Sequence, residues 1–196
     1  NDPLLSASLS MFPSSINVNQ RVTVVLSVTN SGQGNANNVA PNPINLLSTL
    51  SGTASVILIS SPAPSSIASM TPGASARFTW EYQATSTGFF RFSSKAEGLD
   101  SLTLQPVSST VSLSGFTTVQ NPAVLAAAIS TQQSSAGNGQ NFDVYLTVTN
   151  TGGAGVNGIA PPANLGPIGS PTSVLVQSGP LPASASLTGG ASVTFT

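Results

Sequence analysis

Residues 20–32 read QRVTVVLSVTNSG, and residues 140–152 repeat that pattern as QNFDVYLTVTNTG. Further along the chain, TPGASARFT at residues 71–79 matches TGGASVTFT at residues 188–196, with the spacing reduced from 120 to 117 residues. Small losses of spacing between well-matched blocks are typical of deletions in surface loops. Recurrence of a domain-sized unit therefore indicates that the chain is built from tandem modules.

The repeat predicts two domains, residues 1–118 and residues 119–196. Repeat one continues past Thr79 to about Gly115, whereas Thr196 occupies the position that corresponds to Thr79 in repeat two. We therefore expect the second domain to lack its C-terminal strands. Two explanations are open: the chain is a piece of a longer polypeptide, or another chain supplies the strands by strand addition.

Apolar and polar side chains alternate in both copies of the repeated stretch. Val22, Val24, Leu26 and Val28 share one face, and Phe142, Val144, Leu146 and Val148 share the corresponding face in repeat two. Alternation with a period of two is typical of an antiparallel strand with one buried face. Short strands of this kind, separated by Gly- and Pro-containing turns, predict an all-β fold: tandem Ig-like antiparallel β-sandwich domains of about seven strands each.

The large aromatic residues extend this pattern. Phe78, Trp80 and Tyr82 are predicted to face inward, and after a turn at residues 86–88 Phe90 and Phe92 continue that inner face. The same alternation places Glu81 and Lys95 outside, where we expect them to form an exposed ion pair. The best helical candidate is residues 44–50, although this segment lacks a clear capping residue.

Charged residues make up only 5% of the chain, against about 25% in an average soluble protein. The net charge is −1, and the cations are Arg21, Arg77, Arg91 and Lys95. Without a cluster of cations we expect no binding to nucleic acid and no electrostatic docking on membranes. No apolar run of the chain, residues 56–59 included, approaches the roughly 20 residues that span a bilayer, so we expect no membrane insertion in this segment.

The chain contains neither His nor Cys. This composition excludes imidazole-based catalysis, imidazole metal sites and disulfides. A Ser–Lys dyad would require Lys95, and a glycosidase pair would require Glu81 and Glu97, but all three occupy outward positions where a solvated side chain needs no catalytic role. The sequence thus predicts no enzyme and no cofactor.

The remaining residues offer two candidate binding sites. Glu97 and Asp100 are weak calcium candidates, with an ordinary turn at the strand end as the alternative. A carbohydrate platform needs exposed aromatic rings, but Trp80 is predicted to be buried. Phe89 and Tyr145 are the exposed candidates, at positions that do not correspond between the repeats.

Three motifs resemble bacterial immunoglobulin-like surface repeats: VTNxG at the end of the Val-rich strand, PGAS before FTW, and GFFRF. The resemblance is closest to the CARDB type, the cell-adhesion-related domain found in bacteria. It covers both repeats and implies an Ig-like sandwich. It implies no catalytic residues, because the shared motifs are turns and core positions.

Together these observations predict a non-catalytic structural module of an extracellular surface protein, a stalk, fibre or filament of a bacterium or archaeon. Its expected partners are neighbouring repeats or further copies of itself. The alternative is an adhesion module that binds a glycan or a protein through its loops or through an exposed sheet edge.

Overall fold

A computed structural model describes residues 1–43, 48–163 and 174–196, and of residues 48–51 it describes the backbone only. The described residues form β-strands, turns and bends but no helix, which confirms the all-β prediction. They include no helix of the length and hydropathy required to span a bilayer. The chain divides into unit 1, Asn1–Gln120, and unit 2, Asn121–Thr196, two residues beyond the predicted boundary.

The described residues of unit 1 form two sheets. The strands are β1 (Leu5–Phe12), β2 (Ser15–Asn17), β3 (Arg21–Asn30), β4 (Ala36–Asn42), β5 (Ser48–Gly52), β6 (Val56–Ala63), β7 (Ile67–Met70), β8 (Ser75–Ala84), β9 (Gly88–Asp100), β10 (Pro106–Ser108), β11 (Ser112–Leu113) and β12 (Thr117–Gln120). The smaller sheet has the order β1-β3-β8-β6. The larger sheet has the order β2-β12-β9-β4-β7, and β5, β10 and β11 also pair with β9. The number of strands exceeds the predicted seven because several short segments pair along the 13 residues of β9.

The two sheets bury a common aromatic and aliphatic core. Val24 and Trp80 of the smaller sheet are paired across β3 and β8, and both are fully buried. Phe90 and Phe92 of β9 contribute from the larger sheet, and the rings of Tyr82 and Phe92 meet with their centroids 4.6 Å apart. The predicted inward face of all these residues is therefore confirmed, and the packing is that of a β-sandwich.

The predicted ion pair between Glu81 and Lys95 is wrong. The turn between β8 and β9 carries the chain from one sheet to the other, so the two residues lie on different sheets. Glu81 instead pairs with Arg21 across β3 and β8, with Nη1 and Oε2 2.9 Å apart, and Lys95 pairs with Glu97 on its own strand. The Arg21–Glu81 pair is solvent-exposed and should contribute about 0–1 kcal/mol to stability.

The prediction of a helix at residues 44–50 is wrong for its last three residues. Residues 44–47 lie outside the described residues. Residues 48–50 belong to strand β5, which pairs antiparallel with β9. The sheet supplies these residues with backbone partners that a short uncapped helix would lack.

Unit 2 repeats the β1–β3–β8 portion of the smaller sheet. Its described strands are β13 (Leu125–Thr131), β14 (Val144–Asn150), β15 (Val156–Ile159), β16 (Ala185–Leu187) and β17 (Ser192–Phe195). They form a sheet of order β13-β14-β17 and a separate pair β15-β16. Leu125 is in register with Asn150, as Leu5 is with Asn30. The described core is small, with Val148, Leu187 and Phe195 buried at its centre.

Candidate functional site

A fully buried asparagine side chain organises one end of unit 1. Asn30 ends β3, and its Oδ1 accepts hydrogen bonds from the backbone N–H groups of Leu4 and Gly32, both at 3.1 Å. Its Nδ2 donates to the carbonyl oxygens of Gly34 and Met70, at 2.8 and 2.9 Å. The amide thus uses both donors and two acceptor positions to join three separate chain segments.

Unit 2 contains the same arrangement around Asn150, which is also fully buried. Oδ1 of Asn150 accepts from the N–H groups of Val124 and Gly152, at 3.2 and 3.0 Å. Nδ2 donates to the carbonyl oxygens of Ala154 and Thr188, at 2.7 and 3.3 Å. We call this four-bond arrangement the asparagine clamp. Three of its partners in unit 1, Leu4, Gly32 and Gly34, have exact counterparts in unit 2, and the fourth acceptor is displaced by one residue, since Thr188 aligns with Thr71 and not with Met70.

The glycine two residues after each clamp asparagine allows the chain to approach closely. A Cβ on Gly32 would lie 2.3 Å from the backbone nitrogen of Leu4, and one on Gly152 would lie 2.0 Å from the carbonyl oxygen of Pro122. Real side chains do not tolerate such distances to backbone atoms. The Val-Thr-Asn-x-Gly motif therefore encodes both the clamp and the space that it requires.

The sequence alone predicts only turns at residues 30–32 and 150–152, in which Asn30 and Asn150 take part. The available signal was the position of a polar residue at the inward end of an alternating strand, followed by x-Gly, in both repeats. A polar residue at a core position must find hydrogen-bond partners, because burying an unpaired amide is costly. That pattern indicates a buried amide but does not reveal its partners.

The first calcium candidate, Glu97, lies on the outer face of β9 and has two side-chain partners there, Lys95 and Asn42. Its carboxylate forms an ion pair with Lys95 and accepts a hydrogen bond from Nδ2 of Asn42, at 2.6 Å. The hydrogen bond from Lys95, followed by that from Asn42, lowers the pKa of Glu97 below its ordinary value. Glu97 also borders an open cleft of about 540 Å³ lined by residues of β4, β9 and β10.

The second candidate, Asp100, ends β9 and holds the turn that follows. Its Oδ1 accepts hydrogen bonds from the N–H groups of Leu102 and Thr103, at 2.7 and 3.1 Å. These bonds, the one from Leu102 first, lower the pKa of Asp100. Asp100 lies three positions after Glu97 on the strand, so the two side chains project to opposite faces and are not brought together.

These pKa shifts give a testable pH dependence. Carboxylates whose pKa is lowered by folding stabilise the folded state above their ordinary pKa, near 4, and this contribution is lost as the pH falls through the lowered values. Because the chain has no His, we expect a constant urea midpoint from pH 5 to 8 and a decline below about pH 4. Asp100→Asn should reduce that acid-induced decline, while Asp143→Asn, at an exposed site, serves as the control. A urea midpoint that already declines between pH 5 and 7 would show that groups other than these two carboxylates control the pH dependence.

The remaining carboxylate hypotheses find little geometric support. Glu81 and Glu97 lie on β8 and β9, on the outer faces of different sheets. In the described part of the chain, no three acidic residues gather in a way that could hold a metal ion. Calcium binding at Glu97 or Asp100 stays a prediction.

Exposed aromatic residues form a cluster, of which the sequence predicts only Phe89. Phe89 and Phe116 are both exposed and meet edge to face, with ring centroids 5.6 Å apart. The guanidinium carbon of Arg91 lies 4.8 Å from the centroid of Phe116, a cation–π distance. We call Phe89, Arg91 and Phe116 the aromatic cluster. Of the other candidates, Trp80 is buried as predicted and Tyr145 is half-buried.

Comparison with known proteins leaves the chain without an assigned family. No protein-family model matches it, and no curated protein matches it significantly. The similarity to CARDB repeats therefore rests on the three sequence motifs.

Proposed function

We propose that this chain is a non-catalytic structural module of an extracellular surface protein, built from tandem Ig-like repeats. The observation that carries the proposal is the asparagine clamp, which is formed twice, around Asn30 and Asn150, with three of its four partners at corresponding positions. Repetition of a costly buried polar network is expected where each repeat must hold the same shape.

The distribution of the few charged residues supports a structural role. Arg21 and Glu81 neutralise each other, as do Lys95 and Glu97, and Asp100 is engaged with backbone N–H groups. These side chains already have partners within the fold. A surface dominated by neutral polar residues also changes little with salt or pH, which suits a protein that faces a variable exterior.

Protease treatment of intact cells of the source organism tests this proposal. We expect antibodies against unit 1 to detect loss of the protein from intact cells while a cytosolic marker is retained. Negative-stain electron microscopy of the purified source protein should then show extended particles. Protection from protease until the cells are lysed would contradict the surface location, and a compact particle would contradict the stalk or fibre.

The aromatic cluster favours a second candidate, recognition of a glycan or protein by unit 1. Exposed aromatic rings with a nearby guanidinium are typical of binding surfaces. A glycan array with the full chain, repeated with Phe116→Ser, tests this candidate. Binding that the substitution abolishes would support it, whereas the absence of binding to any glycan would count against the glycan ligand.

A further inference from the structure

Strand β6 leaves an apolar sheet edge open in unit 1. It is the last strand of the smaller sheet and, in the part of the chain that the structure describes, it pairs only with β8. Ile57, Leu58 and Ile59 are 49%, 37% and 37% exposed. Alternate backbone N–H and C=O groups of an edge strand point away from its neighbour, so β6 presents both apolar side chains and free hydrogen-bonding groups.

Repeat two keeps an apolar run at the corresponding position. Val174, Leu175 and Val176 are 51%, 77% and 54% exposed. After this run, Leu181 exchanges two backbone hydrogen bonds with Thr196, at 2.9 and 3.0 Å, and the corresponding Ala63 is in register with Thr79. The apolar run is therefore kept in both copies, and in unit 1 it lies on a strand at the edge of a sheet, where a partner can cover it.

The usual protections of edge strands are confined to the C-terminal half of β6. Register shifts occur between Leu58 and Ser60 and between Ser60 and Ala63, and Pro62 lacks an N–H group. Residues 56–58, in contrast, pair regularly with β8 and contain neither Pro nor a charged residue. Natural proteins commonly place Lys, Pro or a bulge on an edge that must stay unpaired.

We propose that residues 56–58 of β6 pair antiparallel with the same residues of a second copy of this chain. A two-fold axis at Ile57 places Ile57 opposite itself and Val56 opposite Leu58, so every cross-strand pair is apolar. The uncharged strand offers nothing to select a charged partner, and with a net charge of −1 two copies repel each other little. The pairing would join the two smaller sheets into one continuous sheet.

The inference rests on the proposed structural function and identifies the partner as a copy of the same chain. Three residues on each side form an interface far below the roughly 1,200–2,000 Å² of a stable complex. We therefore expect dissociation constants of roughly 0.1–1 mM for a single pair of chains. Several such edges along an array would strengthen one another by multivalency and link neighbouring arrays laterally.

Sedimentation equilibrium of the full chain across concentration tests the pairing. We expect the wild-type chain to dimerise and Ile57→Lys to weaken dimerisation by about tenfold or more, because it sets two like charges opposite each other. Leu102→Lys, which changes a highly exposed leucine in a turn, is the matched control and should dimerise like the wild type. Unfolding midpoints of both variants verify that they fold. A wild-type chain that stays monomeric to 1 mM, or equal weakening by both variants, would overturn the proposal.

Because the chain has no cysteine, Ile57→Cys introduces a single thiol at the proposed axis. Directly opposed residues of antiparallel strands have Cα atoms about 4.5–5.5 Å apart, within disulfide range. Oxidation should therefore produce a covalent dimer from Ile57→Cys but little from Leu102→Cys. Equal crosslinking of both variants would indicate random collision and contradict the register. Failure of the sedimentation or the crosslinking experiment would contradict only the pairing of β6. The proposed structural function is tested separately, by protease treatment of cells and by electron microscopy.

Discussion

Asn30→Ala is expected to lower the free energy of unfolding of unit 1 by about 4 kcal/mol. The substitution removes four hydrogen bonds and leaves the N–H groups of Leu4 and Gly32 and the carbonyl oxygens of Gly34 and Met70 without their partner. A buried group that loses its partner costs about 1–3 kcal/mol. Three of the four bonds are only partly buried, so entry of water offsets some of this loss. Since domains are typically stable by 5–15 kcal/mol, the variant should be close to unfolding.

Urea unfolding followed by the fluorescence of Trp80 measures this effect. Trp80 is the single tryptophan of the chain and lies in the core of unit 1, so its emission reports on that unit. Asn35→Ala changes an exposed asparagine five residues further along and should alter stability by less than about 0.5 kcal/mol. A loss below 1 kcal/mol for Asn30→Ala would show that the clamp is replaceable.

The equivalent variant Asn150→Ala tests whether the asparagine clamp also stabilises unit 2. Amide hydrogen exchange at Val124 and Gly152, which both donate to Asn150 Oδ1, should accelerate because their acceptor is lost. Unchanged exchange at both amides would mean that the clamp in unit 2 is not a source of local stability.

Much of the fold follows from the period-two alternation of the sequence. It identifies Val24, Trp80 and Phe92 as core residues because any sheet that buries one face of these strands must bury these side chains. Alternation does not state which sheet a strand joins. For this reason the predicted ion pair between Glu81 and Lys95 is wrong. Both residues face outward, but the turn between their strands crosses from one sheet to the other.

The candidate sites were less predictable because they depend on long-range contacts. The donors and acceptors of the clamp come from positions as far apart as Leu4 and Met70. Phe116 meets Phe89 only because β12 pairs with the start of β9, a contact between segments 27 residues apart. Local sequence patterns contain no information on such pairings, whereas the repeat did indicate the sheet β13-β14-β17, which has the same order as β1-β3-β8.

Trp80→Ala is expected to destabilise unit 1 by about 3–5 kcal/mol, a loss comparable with that of Asn30→Ala but of a different physical origin. Trp80 is fully buried, faces Val24 across the smaller sheet and belongs to the same core as Phe90 and Phe92 of the other sheet. Truncation removes its transfer free energy and leaves a cavity between two sheets whose backbones are fixed by long hydrogen-bonded ladders. The site therefore cannot collapse freely, which places the cost toward the upper end of that range.

Because this variant removes the fluorescent reporter, its stability is best measured by circular dichroism during urea unfolding. Trp80→Phe keeps an aromatic ring in the site and should cost no more than about half as much, since it removes less volume. Phe89→Ala deletes an exposed ring on the other sheet and should cost less than about 1 kcal/mol, which separates loss of core packing from loss of an aromatic residue as such. If Trp80→Ala and Phe89→Ala proved equally mild, the two sheets would not share the tightly packed core that holds unit 1 together, and the clamp alone would have to account for its stability.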